Sequence, residues 1–327
     1  MKNKILSVLL CFMLCFSFVG CKTEESSVLK VNEVTHSIFY APFYAAIELG
    51  FFAEKNITIE LTNGGGSDKS MTALLTGQAD VGFMGPETAV YVFNEGQKDH
   101  PVVIAQVTQR DGSFLVGKEK DDNFTWDKLK GKSVIGGRTG GMPEMTLEYA
   151  LKKHSLVPNE DLTLRTDVSF DLMGGAFLSG EDDYVALFEP SASTMELAGE
   201  GYIVSSVGAE TDFVAYTAMM VTQSFRDKNP QLVQDFVSAL YKGQQWVKNH
   251  TAKEIAEAIA PAFPDSDIKL ITKVVENYKK IDAWKDNPVT EKEHFDQLIK
   301  VITDAGISVE NPDYDKIVDN SFANKVK

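Results

Sequence analysis

Apolar positions run through this chain in two alternating rhythms. Leu29 to Thr35 reads as a strand, and Ile57 to Leu61, apolar at every second position, reads as another. Between them Phe43 to Leu49 reads as a helix, closed by Gly50 where a glycine can take the left-handed turn that ends helices. Ser67 or Asp68 stands where a helix running to Leu75 needs a cap, Val81 to Met84 reads as a third strand, and Pro86 falls at the first position of the next helix. Val102 to Val107 is a continuous apolar run, as in a strand buried on both faces. The order then restarts: strand Ser133 to Gly136, helix Pro143 to His154, strand Leu162 to Thr166, helix Leu172 to Leu178, strand Tyr184 to Phe188, helix Ser191 to Ala198. Strands near Tyr202 to Ser205 and Ala215 to Thr222 follow. The remainder is helical: Pro230 to Asn249, with Val233, Phe236, Val237, Leu240 and Trp246 on one face, then Ala252–Ala260, Ser266–Lys279 and Glu291–Ala305.

Strand–loop–helix units repeated in this way predict an α/β fold. Two sets of units predict two lobes, each a mixed, mostly parallel sheet flanked by helices, with a helical C-terminal tail. Lobe I takes residues 29–109 and 217–327, and lobe II, residues 110–216, is inserted into it. The joints fall at Gln109–Gly112 and near Tyr216–Met219; two chain crossings can bend together as a hinge. A length of 327 residues agrees, because single cores stop growing at roughly 250–300 residues.

Residues 1–20 read as a signal peptide, with Lys2 and Lys4 ahead of an apolar stretch, Ile5 to Val19, that is short for a span of about 20 residues. Phe18-Val19-Gly20-Cys21 resembles a bacterial lipobox, which makes Cys21 the expected lipidation site and residues 21–28 a flexible tether. The expected location is the outer face of the bacterial cytoplasmic membrane, periplasmic in a Gram-negative cell. All three cysteines, Cys11, Cys15 and Cys21, belong to this leader, so the body has no disulfide framework. The net charge of −15 has no basic run set against it, which argues against nucleic acid and for a soluble monomer. The five histidines lack metal-ligand spacing, and no cofactor or catalytic triad is suggested.

Several segments carry a resemblance: Phe39-Tyr40-Ala41-Pro42-Phe43-Tyr44-Ala45-Ala46, Glu48-Leu49-Gly50-Phe51-Phe52, Leu75-Thr76-Gly77-Gln78-Ala79-Asp80-Val81-Gly82, Leu129-Lys130-Gly131-Lys132 and Ala186-Leu187-Phe188-Glu189-Pro190. In this order they resemble the type II periplasmic binding proteins for nitrate, aliphatic sulfonates, taurine and thiamine pyrimidine precursors. The resemblance implies a two-lobed flytrap that captures a small molecule for the permease and ATPase of an ABC importer. Pyrimidine synthases resemble the same fold, but they work inside cells and rely on a cysteine-rich motif that this body lacks. An extracellular sensing module is the other alternative.

Ligands of open α/β sheets bind beyond the carboxyl ends of the strands, where helix N-termini offer free N–H groups. The loops at those ends supply the candidate contacts. After the first strand come His36, Ser37, Phe39 and Tyr40; in the next loop, Gly65, Gly66 and Ser67; then Gly85, Glu87 and Thr88. The second lobe offers Arg138, Thr139, Gly140 and Gly141, then Glu189, with Tyr216 at the return crossing and Gln109, Arg110 and Asp111 at the outward one. Arg138 is suited to an oxyanion, and Glu87 and Glu189 to a donor on the ligand. A sulfonate and a thiamine-type pyrimidine both remain open; the aromatics tilt the expectation towards an organic, heteroaromatic ligand over nitrate.

Overall fold

A computed structural model of the chain describes residues 26–310 and 312–326; the leader and Cys21 lie outside them. The first strand, β1 (Ser27–Glu33), begins inside the stretch expected to be tether, because Ser27 already pairs with Ile57 of β2 (Ile57–Asn63). Among the described residues no helix is long and apolar enough to cross a membrane.

Two five-stranded sheets form the fold. The first has the order β2-β1-β3-β10-β4, with β3 (Val81–Met84), β4 (Pro101–Thr108) and β10 (Thr217–Thr222). The second has the order β7-β6-β8-β5-β9: β5 (Ser113–Gly117), β6 (Ser133–Ile135), β7 (Thr163–Arg165), β8 (Tyr184–Phe188) and β9 (Tyr202–Ser206). In each sheet four strands run one way and one is reversed. β10 is antiparallel to β3 and β4, and β5 is antiparallel to β8 and β9.

Chain crossing explains the reversal. β4 ends at the edge where the two sheets face each other, and only residues 109–112 separate it from β5. That link is too short to carry the chain to the far end of the second sheet, so β5 starts at the shared edge and runs away from it. β10 does the same on the return. β5 lies where the sequence predicts only a joint; its five residues are all buried and show no alternation. Gly112 sits at the crossing because a Cβ there would lie 2.7 Å from ring carbons of both Phe39 and Phe188.

The helices lie close to their expected places, and their caps differ. α1 (Ala41–Glu48) follows a single 3-10 turn at Ile38–Tyr40. α2 (Ser67–Leu75) is capped by Gly66 with no side-chain bond, so neither Ser67 nor Asp68 is the cap residue. α3 (Glu87–Asn94) has Pro86 as its cap, one position earlier than expected. The second lobe carries α4 (Met142–Lys153), α5 (Met173–Ser179) and α6 (Ser191–Ala198).

The tail comprises α7 (Pro230–Asn249), α8 (Ala252–Ile259), α9 (Ile268–Lys280) and α10 (Lys292–Asp304). It touches both lobes. Trp284 donates its indole N–H to the carbonyl of Phe39 at 2.8 Å. On the other lobe, Lys273 of α9 pairs with Glu196 at 2.6 Å, and Lys152 of α4 donates to the carbonyl of Asp304 at 2.6 Å. The tail therefore braces the second lobe from two sides.

Candidate ligand-binding cleft

The loops at the carboxyl ends of β1, β2, β3, β6 and β8 face one another between the sheets. The lobes are drawn together: the cavity beneath them is about 100 Å³, lined by Thr35, His36 and Ser37 of one lobe and Phe170, Met173 and Phe188 of the other. Ser37 Oγ bridges the lobes by donating to the carbonyl of Glu189 at 3.2 Å. Phe39 stands edge-on to Phe188, with ring centroids 5.5 Å apart.

The first loop is organised by Glu33, a buried acid at the end of β1. His36 Nδ1 lies 2.8 Å from Glu33 Oε1, and Nε2 lies 2.8 Å from the carbonyl of Ala262. A carbonyl only accepts, so Nε2 carries a hydrogen. The hydrogen bond to Glu33 accordingly raises the His36 pKa. Tyr44 donates to the other Glu33 oxygen at 2.5 Å. Both ring nitrogens of His36, a residue that lines the cavity, are thus engaged within the protein. Tyr40 is buried against Phe83, ring centroids 4.2 Å apart, with its hydroxyl bonded to Thr217.

The glycine loop was expected to offer N–H groups to an anion, and its geometry corrects that. Gly64 N donates to Glu33 O at 2.8 Å, Gly65 N to Asn63 Oδ1 at 2.9 Å and Gly66 N to Val34 O at 3.0 Å. Gly65 and Gly66 shape the turn with positive φ and leave no donor of their own for a ligand. Ser67 lies in the first turn of α2 beside them.

Arg138, the expected oxyanion ligand, is exposed and pairs with Asp68 of α2 at 3.1 Å, across the cleft mouth. Its hydrogen bond holds the Asp68 carboxyl below the usual carboxylate range. Thr139 bonds Thr166 at 2.9 Å, Gly140 N donates to Glu144 Oε2 at 3.0 Å, and Gly141 N donates to Arg138 O at 3.2 Å. Arg138 therefore bridges the lobes. Arg138→Ala is expected to leave solute affinity within about fivefold, since an exposed ion pair contributes only about 0–1 kcal/mol. Equilibrium titration checks this, and a loss above tenfold would return Arg138 to the site.

Glu189 is also committed. Ser193 N and Oγ donate to its two oxygens at 2.8 and 2.7 Å, and Asn277 of the tail donates at 2.6 Å. It accepts from Ser193 in the first turn of α6 and ties that helix to α9. Tyr216 donates to Asp111 at 2.7 Å, so its hydroxyl serves the crossing. Asp111 also accepts from Thr146 of α4 at 2.5 Å and from Ser113 N at 2.6 Å. Gln109 donates to the carbonyls of Asp282 and Trp284, and Arg110 to those of Gly208 and Thr211.

Glu87 differs from all of these. It opens α3, is 2% exposed, and its Oε2 has no hydrogen-bond partner. The side chain folds back over Gly85, where a Cβ would lie 1.9 Å from that oxygen, so only glycine allows this pose. Burial pushes the carboxyl up to about 8. Thr88 beside it is satisfied by the carbonyl of Gly85 at 2.7 Å. Sequence reasoning missed Glu144, Phe170, Met173 and Phe188. Glu144 repeats the pattern of Glu87, an acid in the first turn after a glycine-bearing loop, and could have been found by that signal.

Two α/β lobes joined by paired crossings, with their loop edges turned to one another, define the fold of extracytoplasmic solute-binding proteins. The chain belongs to the NMT1/THI5-like family, whose model matches residues 38–254. It is 42% identical over 314 residues to the Bacillus subtilis (strain 168) protein named "Putative binding protein YtlA", covering 96% of this chain and 94% of that one. Among solved structures it is similar to the alkanesulfonate-binding protein SsuA of Xanthomonas axonopodis pv. citri bound to MOPS, with TM-score 0.70, 14% identity and coverage of 90% and 99%. It is also similar to the ligand-binding component of an ABC-type import system from Staphylococcus aureus, with TM-score 0.73, 14% identity and coverage of 92% and 99%. At such identities these two likenesses speak for the fold alone.

Proposed function

We propose that this chain is the extracytoplasmic solute-binding component of an ABC importer and that it binds without chemistry. Residues 29–109 with 217–327 and residues 110–216 act as two bodies closing on a small organic solute. The family and the relative named as a binding protein support the binding role. The absence of cysteine after Cys21 counts against a synthase-like enzyme that depends on a cysteine-rich motif.

The ligand class rests on Glu87. A sulfonate keeps its charge in the cleft and needs donors around it. Here the glycine-loop N–H groups are engaged, Arg138 is exposed and paired, and among the described residues the one buried lysine, Lys285, is held by Glu291. An unpartnered buried acceptor suits a ligand bearing N–H donors, and the rings of Phe170 and Phe188, which line the cavity, suit a flat one. A thiamine-type aminopyrimidine has both properties.

A thermal-shift screen of aminopyrimidines against alkanesulfonates tests this reading. A true ligand at about 100 times its dissociation constant adds roughly 2.7 kcal/mol of stability. Stabilisation by sulfonates alone would contradict it. For the anchor, Cys21→Ser is expected to release the protein from membranes into the soluble fraction, and retention of that variant on membranes would count against lipidation. Adjacent genes for a permease and an ATPase separate import from sensing.

A further inference from the structure

The cavity between the lobes is too small for a cyclic guest. It measures about 100 Å³, whereas an apolar cavity of about 150 Å³ is the size that takes up benzene. One of its walls must therefore yield if a ring is to lie there.

Most of the walls are fixed. Ala186 and Leu187 belong to β8 and pair with Leu115 and Phe114 of β5. Both nitrogens of His36 are bonded, Ser37 donates to the carbonyl of Glu189, and Glu189 accepts from Ser193 and Asn277. Phe188, at the end of β8, is wedged against Phe39 and Tyr216, with ring centroids 5.5 and 6.4 Å apart. Met173 is 2% exposed and packs in the core.

Phe170 is held differently. It is 43% exposed and stands on a single 3-10 turn, Phe170–Leu172, that has no side-chain cap. One backbone bond, from Leu172 N to Ser169 O at 2.9 Å, closes the turn. Gly174 and Gly175 follow, and a Cβ on Gly175 would meet nothing within 4 Å. The Phe170 ring meets Phe188 edge-on, with centroids 5.3 Å apart and planes at 60°.

We propose that Phe170 is the specificity-determining wall of the cleft. As the lobes close on a guest, Phe170 swings outward on its turn, a flat ring takes its place against Phe188, and Phe170 settles on the far face of that ring. That the guest is a transported solute rests on the function proposed above; the yielding of Phe170 to a ring does not. Faces in van der Waals contact stand about 3.5–4.0 Å apart, so a ring between the two phenyls widens their separation from 5.3 Å to about 7–8 Å. A flat unsaturated ring asks for the smallest displacement and gains aromatic contact on both faces. A puckered saturated ring is thicker and gains no such contact.

Disulfide exchange inside the cavity tests this without any solute. Thr35 lines the cavity from the first lobe. The soluble mature chain carrying Cys21→Ser and Thr35→Cys has a single thiol, since no other cysteine follows residue 21. That chain is equilibrated with equal amounts of benzyl and cyclohexylmethyl thiols and their disulfides, and the two adducts are counted by intact-mass spectrometry. Relative to the same chain unfolded in urea, the benzyl adduct should be favoured about twofold to tenfold, the usual worth of an aromatic pair. Phe170→Ala should return the ratio to that of the unfolded chain. Leu172→Ala, on the same turn and 62% exposed, should leave it unchanged. Ser37→Cys repeats the measurement if Thr35→Cys does not fold. A ratio indifferent to Phe170→Ala, or lowered as much by Leu172→Ala, would overturn the assignment. Aminopyrimidines that fail to stabilise the parent chain while the ratio still depends on Phe170 would sink the solute class alone.

Discussion

Glu87→Ala lowers affinity for the solute by about ten- to a hundredfold, because a hydrogen bond to a charged group contributes about 1.5–3 kcal/mol. The same residue destabilises the empty protein. Its carboxyl is buried with Oε2 unpartnered, and its pKa is raised to about 8. A raised acid contributes stability below its unfolded value that is lost as pH climbs through the folded one. Glu87→Gln is therefore expected to raise the melting temperature of the empty protein more at pH 8 than at pH 5. Calorimetric titration and a pair of melts measure the two effects. Binding lost while stability is gained marks a ligand contact; loss of both would mark a structural acid.

The second large effect belongs to Asp111. Fully buried, it accepts from Ser113 N and Oγ, Thr146 and Tyr216, and so joins the outward crossing, the return crossing and α4. Desolvation raises its pKa, and those hydrogen bonds work against the rise. Asp111→Ala leaves several buried donors without an acceptor and is expected to remove about 3 kcal/mol of stability, each such group costing about 1–3 kcal/mol. Asp111→Asn retains one acceptor oxygen and should recover part of this. Urea unfolding measures both, and an Ala variant as stable as the parent would show that the network holds nothing together.

Most of the architecture was legible because strand and helix periods differ and glycines mark the turns. α7 was read residue for residue from its apolar face, and the return to a first-lobe strand was read near Ala215. β5 was not legible: a short apolar run directly after a crossing has no period to betray it. The site was legible as a set of loops and much less so as contacts. Sequence shows that Arg138 and Glu189 stand in the right loops. Only folding shows Asp68 opposite the one, and Ser193 with Asn277 around the other. Glycine loops misled for a similar reason, since Asn63 and two carbonyls take the N–H groups that the sequence alone leaves free. Glu87 stood out only once folding left its Oε2 without a partner.

Asp68 and Arg138 mark where the two lobes touch at the mouth of the cleft. Cysteines at both positions, in a chain also carrying Cys21→Ser, can be joined by a short bismaleimide, as no other cysteine follows residue 21. Solute exchange is then followed before and after the bridge is made. A bridge formed first should bar the solute, and one formed on the complex should slow its release by more than a hundredfold. Free passage of solute through the bridged protein, in either order, would contradict capture by closing lobes.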